Sequence, residues 1–241
     1  MLYKELFSIL AKVDSTNNYA MGQVHEGLAT HGMAWFALDQ TAGKGQRGRS
    51  WKSTPGSALI LSVVIQPPAG VIPGDFTLPA TIALAVLKFC KAFGGDEWSL
   101  KWPNDIYWRD RKAGGILIEN LIRGSRWHWA VIGVGINVNQ EEFDPELPNP
   151  VSMRMITGKD YDVIKLGQEL HLSLMKAIDA PAKEIKHGII EEYNQVLFKK
   201  GEWVVLEKNE KVFNAKVEGV DGNGNLLTSE GAFRWGEISW K

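Results

Sequence analysis

The sequence predicts an α+β protein. A mixed sheet flanked by helices is expected over residues 1–198, and a small C-terminal β-barrel of the SH3 type over residues 199–241. Three observations carry this expectation. Apolar runs of strand length recur at Ala58–Ile65, Gly114–Ile122 and Trp127–Val138, and such runs form buried or half-buried strands. Helical spacing is confined to a few segments, chiefly Leu78–Phe93, Tyr161–Ile178 and Ala182–Phe198. After Phe198 the texture changes to short strand-like runs punctuated by turn residues.

The elements follow in order. Asp14 or Ser15 can cap a short helix beginning near Asn17. Met33–Leu38 reads as a strand that feeds a glycine-rich loop, and Ala58–Ile65 is the strand that leaves it. Thr77 is a plausible cap for Leu78–Phe93, which Gly94 and Gly95 stop. Trp98–Trp108 is strand-like around a proline turn. Phe143–Pro150 holds three prolines and reads as a loop. Two helices then meet at Pro181. In the last segment, Trp203–Leu206, Val212–Val217, Leu226–Thr228 and Phe233–Ile238 read as strands. Asp221-Gly-Asn-Gly224 is a hairpin turn.

Composition narrows the function. The chain has 241 residues, 44% hydrophobic and 23% charged, with net charge −1 and pI about 6.5. Bulk nucleic-acid binding needs a basic field, which this balance does not provide. Cys90 is the single cysteine, so no intrachain disulfide forms, as suits a reducing compartment. It sits among Leu87, Phe89 and Phe93, a core setting without a neighbour to lower its pKa. The five histidines show no metal-ligand spacing, and no stretch approaches the roughly 18 apolar residues of a membrane span. The expectation is a cytoplasmic protein without a membrane partner.

The chemistry concentrates in Gln40-Thr-Ala-Gly-Lys-Gly-Gln-Arg-Gly-Arg-Ser-Trp51. Gly43, Gly45 and Gly48 let the backbone turn sharply and approach a ligand. Successive N–H groups in such a turn make an anion-binding concavity, and Lys44, Arg47 and Arg49 add positive charge. The glycines satisfy the dinucleotide-binding and nearly the P-loop pattern. Both require a following helix, whereas a strand follows here. The loop reads equally as a basic, solvated connection.

Further groups lie downstream. In Lys101-Trp-Pro-Asn-Asp105, Pro103 keeps Trp102 extended. Lys101 can reach an anion, and Asn104 and Asp105 offer the hard oxygens that suit Mg²⁺ beside nucleotide phosphates. A self-satisfied proline turn is the alternative. Lys112 precedes Gly114 and Gly115, where a ligand could lie against backbone. In Gly133-Val-Gly-Ile-Asn137, glycines within a strand mark either a cavity or a close neighbour.

Taken together these residues resemble the biotin protein ligase family. The pattern runs through Asp14-Ser-Thr-Asn17, the Gln40–Trp51 loop, Lys101–Asp105, Asp110-Arg-Lys112 with Gly115, Gly133–Asn137 and Gly236-Glu-Ile-Ser239. The resemblance implies a class II synthetase-like catalytic domain with an SH3-like tail. It implies that biotin and ATP, with Mg²⁺, give biotinyl-5′-AMP, and that biotin then passes to a lysine of a biotin carboxyl carrier protein. It places Ser15, Thr16, Asn17, Gln40, Gly43, Lys44, Gln46, Trp51, Lys112, Gly115 and Gly135 around biotin. It places Arg47, Arg49, Trp51, Lys101, Asn104 and Asn137 around ATP, with Asp105 toward the metal. Lys112, Arg47 and Arg49 become the catalytic cations. Lipoate ligases and octanoyltransferases share the superfamily, but their arginine pair and Gly-Gly-Gly run at the first loop are missing here. A binding module that uses the tail to recruit a partner is a rival from another class.

Two positions depart from the family. Much of it has arginine where Lys44 and Gln46 stand. Lys44 keeps the charge without the bidentate fork, and Gln46 loses the charge. The expectation is faster escape of biotinyl-AMP than from a Gln46→Arg variant. Family members include monomers and sheet-to-sheet homodimers, so the oligomeric state stays open. Some members also carry an N-terminal winged helix-turn-helix, for which the early motifs leave no room. The chain is therefore expected to give no sequence-specific shift of duplex DNA at physiological salt; an operator-specific shift would overturn this.

Overall fold

The structure is a computed structural model that describes residues 3–68, 71–124, 126–181 and 188–241. Its centre is a seven-stranded sheet ordered β1-β2-β5-β9-β8-β7-β6. The strands are β1 (Phe7–Leu10), β2 (Ala34–Ala37), β5 (Ala58–Ile65), β6 (Trp98–Lys101), β7 (Asp105–Trp108), β8 (Arg111–Arg123) and β9 (Arg126–Asn137). β1 and β2 run parallel, while the neighbouring pairs from β2 to β6 run antiparallel. The sheet is mixed, as the sequence predicts. Between β2 and β5 lies a two-stranded ribbon of β3 (Gly43–Lys44) and β4 (Ser50–Trp51).

β5 is buried along its whole length. It therefore lacks alternation, because both sheet faces are covered. One face carries Leu59, Leu61, Val63, Ile132, Val134 and Ile136 into the main core. There it meets α2 (Thr77–Lys91) and α4 (Val163–Ile178). Each fully buried aliphatic side chain on these surfaces contributes roughly 1.5–3 kcal/mol. The other face meets α1 (Thr16–His25) and a smaller cluster of Ala20, Val24, Trp35, Val64 and Val131.

Several local expectations change. Ser15, not Asp14, caps α1 through the Asn18 N–H. Asp14 instead accepts from the Asn18 amide at 2.7 Å, which holds its carboxyl below the usual range. Thr77 is the first residue of α2 rather than its cap; Asp75 accepts the Thr77 N–H at 2.7 Å instead. α3 (Met153–Thr157) and β1 are too short to have a readable period. Of the helix expected over Ala182–Phe198, α5 covers Ile189–Gln195; residues 182–187 lie outside the described residues.

The C-terminal strands are β10 (Trp203–Lys208), β11 (Lys211–Val220), β12 (Leu226–Thr228), β13 (Gly231–Phe233) and β14 (Ser239–Trp240). They form a separate antiparallel sheet in the order β13-β12-β11-β10-β14. Its content is that of an SH3-like module, but its edge strands do not pair into a closed barrel. Phe233–Ile238 is not one strand, because Arg234–Glu237 turns on itself. Leu206, Ala215, Val217 and Leu226 join the same core as the seven-stranded sheet. Polar ties reinforce the junction. The Trp102 indole donates to Gly224 O at 2.9 Å and the Trp240 indole to Trp102 O at 3.1 Å.

Cys90 is fully buried in α2, and burial pushes its thiol pKa well up. Native protein at pH 8 is expected to resist iodoacetamide, with alkylation appearing only through the unfolding transition; rapid native labelling would contradict the packing.

Candidate active site

One row of cross-strand neighbours builds the floor of the site. Ile60 pairs with Gly135, Gly135 with Gly115, Gly115 with Asp105, and Asp105 with Lys101. Paired residues share a face, and successive strands stand about 4.8 Å apart. The row thus passes from an aliphatic side chain, across two bare glycines, to a carboxylate and an ammonium. Ser62 and Gly133 flank it in the next row. With so little side chain present, the face would be a depression in the sheet if nothing covered it.

Trp51 covers it from β4. A Cβ on Gly135 would meet Trp51 Cε2 at 2.7 Å, and one on Gly115 would meet Trp51 Cζ3 at 3.9 Å. The Trp51 Nε1 is buried without a hydrogen-bond partner among the described residues.

The polar wall comes from the start of α1. Gln40 Oε1 accepts from the Thr16 N–H at 2.8 Å and stands 3.2 Å from the Thr16 hydroxyl oxygen. Ser62 Oγ lies 2.6 Å from Asn17 Oδ1 and 2.8 Å from Thr16 Oγ1. Its single proton goes to Asn17 Oδ1, since a carboxamide oxygen can only accept, and the Thr16 hydroxyl donates to Ser62 Oγ. Asn17 Nδ2 then donates to Glu119 Oε2 at 2.8 Å, and Glu119 Oε1 lies 3.6 Å from Lys44 Nζ. Glu119 was not a candidate from sequence. Its signal is parity, since it shares a strand face with Gly115 four residues earlier.

Lys112 reaches the site through a bulge. Lys112 and Gly115 are three positions apart, which in a regular strand puts them on opposite faces. The register against β7 shifts between Ile106 and Tyr107, leaving Ala113 extra. A bulge of this kind re-aims the side chains beyond it. Lys112 Nζ therefore meets Asp105 Oδ1 at 2.7 Å. Its backbone is pinned by Asn149 O at 3.0 Å and the Val151 N–H at 2.9 Å.

Lys101, farther along the row, is enclosed by aromatic rings. Its ammonium lies 4.7 Å from the Tyr107 centroid, 5.1 Å from Trp240 and 5.5 Å from Phe198. Burial, and then Lys112, lower its pKa, while Asp105 opposes them. Burial also pushes Tyr107 up to about 12. Two other expected nucleotide groups are spent inside the chain. Asn104 Nδ2 donates to Ile116 O at 2.8 Å. Asn137 donates to Val151 O at 3.1 Å and accepts from Gln140 at 3.2 Å.

Above the floor, Gly43 packs against Gln40 and the Trp51 carbonyl. The loop is closed by Gly45 N–H to Arg49 O at 2.7 Å. Arg47 has φ 56° and ψ 39°, a left-handed conformation that is uncommon for a residue with a Cβ. The side chains of Arg47 and Arg49 are exposed and form no ion pair among the described residues. Gln46 Oε1 accepts from the Trp235 indole at 3.0 Å.

A metal cage is not among these features. No three His, Cys, Asp or Glu side chains stand together among the described residues. The one carboxylate in the row, Asp105, already pairs with Lys112. The donor set does not fit a protein-held divalent ion.

A cleared sheet face, a cationic glycine-rich loop and a lysine at the edge give the site positive margins around a neutral floor. The sequence pattern of the Biotin/lipoate A/B protein ligase family matches residues 9–137, and the chain belongs to that family. It is similar to the Escherichia coli bifunctional ligase/repressor BirA, 35% identical over 145 residues, 59% of this chain and 43% of that protein. A biotin–[acetyl-CoA-carboxylase] ligase of Mycobacterium tuberculosis is 35% identical over 143 residues, 57% of this chain and 52% of that one. The match thus spans about half the length of these relatives. The biotin protein ligase from Aquifex aeolicus in complex with biotin and ATP superposes with a TM-score of 0.78 at 28% identity, covering 98% of both chains.

Gly133 offers a direct test of the packing. A Cβ there would collide with the Asn17 carboxamide, which the Ser62 and Glu119 hydrogen bonds hold in place. Gly133→Ala is expected to destabilise the protein by about 1–3 kcal/mol in denaturant unfolding; an unchanged midpoint would mean that the network yields freely.

Proposed function

We propose that this chain is a biotin protein ligase. It activates biotin with ATP to biotinyl-5′-AMP and transfers the biotinyl group to a lysine of a biotin carboxyl carrier domain, in the cytoplasm. The observation that carries this reading is the Gly115–Gly135 pair under Trp51, with a hydrogen-bonding wall on one side and Lys112 on the other. Trp51 lies in contact with Gly135 itself, so an uncharged ring with polar edges takes the cleared face by displacing the indole, which then walls it. The Thr16, Asn17 and Gln40 groups are the partners its ureido atoms need, since a buried polar group without one is costly.

Lys112 is placed to exchange Asp105 for the substrate carboxylate. In the first step a biotin carboxylate oxygen bonds to the α-phosphorus of ATP. The bond from that phosphorus to the β-phosphate bridging oxygen breaks, and pyrophosphate leaves with the electron pair. Two anions must approach, so positioning and fixed positive charge carry most of the catalysis. Lys112 holds the carboxylate side; Arg47 and Arg49, without an ion pair among the described residues, are the cations for the phosphate side. In the second step the carrier amine attacks the acyl carbon, the acyl–oxygen bond to AMP breaks, and the amine sheds a proton. Mg²⁺ is expected to arrive with the nucleotide's phosphates, as this ion commonly does, and no step here runs through it. We also place the boundary between the catalytic part and the C-terminal module at Phe198.

ATP–pyrophosphate exchange, run with biotin, lipoate and octanoate in parallel, tests the reading. Exchange is expected with biotin alone, and Lys112→Ala should lower it by about 100-fold or more. Exchange with lipoate would move the chain to another branch of the family. No exchange with any acid in folded protein, or an unaffected Lys112→Ala, would sink the enzyme reading.

A further inference from the structure

The glycine-rich loop is held at its tip by the C-terminal module. The Trp235 indole donates to Gln46 Oε1 at 3.0 Å. Next to it, a Cβ on Gly236 would stand 3.9 Å from Arg47 Cζ, so the guanidinium lies against bare backbone. The turn that presents both is fixed by its own bonds: Glu237 N–H to Arg234 O at 3.1 Å and Arg234 N–H to Glu237 Oε2 at 3.2 Å. Trp235 is 52% exposed and its indole N–H is spent on the loop, so its placement serves the loop rather than the core. The loop in turn has a reason to need a seat. Arg47 is left-handed without being glycine, a conformation that persists only when its surroundings hold it.

We propose that Trp235 and Gly236 are positioning residues for the loop. Through Gln46 they fix the conformation in which Arg47 and Arg49 face the phosphate side of the site. This rests on the ligase reading for its consequence, though not for the contact itself. It also reverses the expectation for Gln46. An arginine there cannot accept the indole hydrogen, so Gln46→Arg should loosen the loop and release biotinyl-AMP faster, not slower.

The test reads backbone hydrogen exchange over residues 43–51 in the ligand-free protein, beside release of preformed biotinyl-AMP. Trp235→Phe keeps the ring and removes the donor. It is expected to speed exchange in the loop and adenylate release by about 3- to 10-fold, the scale of one neutral hydrogen bond, with thermal unfolding unchanged. Gln46→Arg should match it, and the double variant should exceed neither. Gln46→Glu keeps an acceptor for the Trp235 indole, so backbone exchange in the loop should stay slow. Loop exchange unaltered by Trp235→Phe, or additive effects in the double variant, would overturn the proposal. Wild-type protein that fails pyrophosphate exchange with biotin would instead remove the ligase reading, with the loop result still standing.

Discussion

The site depends on a sheet face from which side chains have been removed. Gly115 and Gly135 pair directly across β8 and β9, and Gly133 lies two residues along. Glycine weakens a strand, and here three are tolerated because the opposite face carries Ile116, Ile132, Val134 and Ile136 into the core. The two faces of the same strands thus divide the tasks. One supplies burial energy, and the other supplies room. Everything else in the site is brought in to line that room: Trp51 from above, Thr16 and Asn17 from the head of α1, and Lys112 from the bulged end of β8.

Charge is arranged by the same division. Around the glycines the polar groups are neutral and satisfy one another, through Gln40, Thr16, Ser62 and Asn17. Cations begin only at the margins. Lys112 is neutralised by Asp105 and Lys44 stands near Glu119, while Arg47 and Arg49 project from an exposed loop. An anion entering between these margins competes with one carboxylate for Lys112 and, among the described residues, with none for the two arginines. An exposed guanidinium gives little attraction in water. It gives far more wherever a bound anion and the loop exclude solvent, because the effective dielectric falls.

Local chemistry was legible in the sequence, and relations across strands were not. β5, α2 and α4 announce themselves because each is a long apolar pattern of one period. The residues on the cleared face could be named as candidates because glycines inside strands are conspicuous. What sequence could not give was facing. Regular alternation puts Lys112 opposite Gly115, and only the shift at Ala113 turns it toward Asp105. Glu119 escaped because a lone acid on a strand looks solvated until Asn17 and Lys44 are seen beside it. The SH3-like strand content of the C-terminal module was legible, and the order in which its strands pair was not. Strand content can be read locally, but only the pairing places β13 and β14 at opposite edges.

The C-terminal module matters to the site because it grips two separated pieces of it. One grip is at the Lys101–Asp105 turn, where the Trp102 and Trp240 indoles bond across the junction and Trp240 also stands over the Lys101 ammonium. The other is at the loop tip, through Trp235. The two differ in character. Trp102 is buried and belongs to the common core, so the turn cannot leave its place without disrupting the fold. Trp235 is half exposed and contributes one hydrogen bond, an interaction weak enough to break and re-form. A module attached firmly at the turn and lightly at the loop holds the Lys101–Asp105 turn constant while leaving the loop free to move, as the proposed entry of a nucleotide and release of pyrophosphate would require.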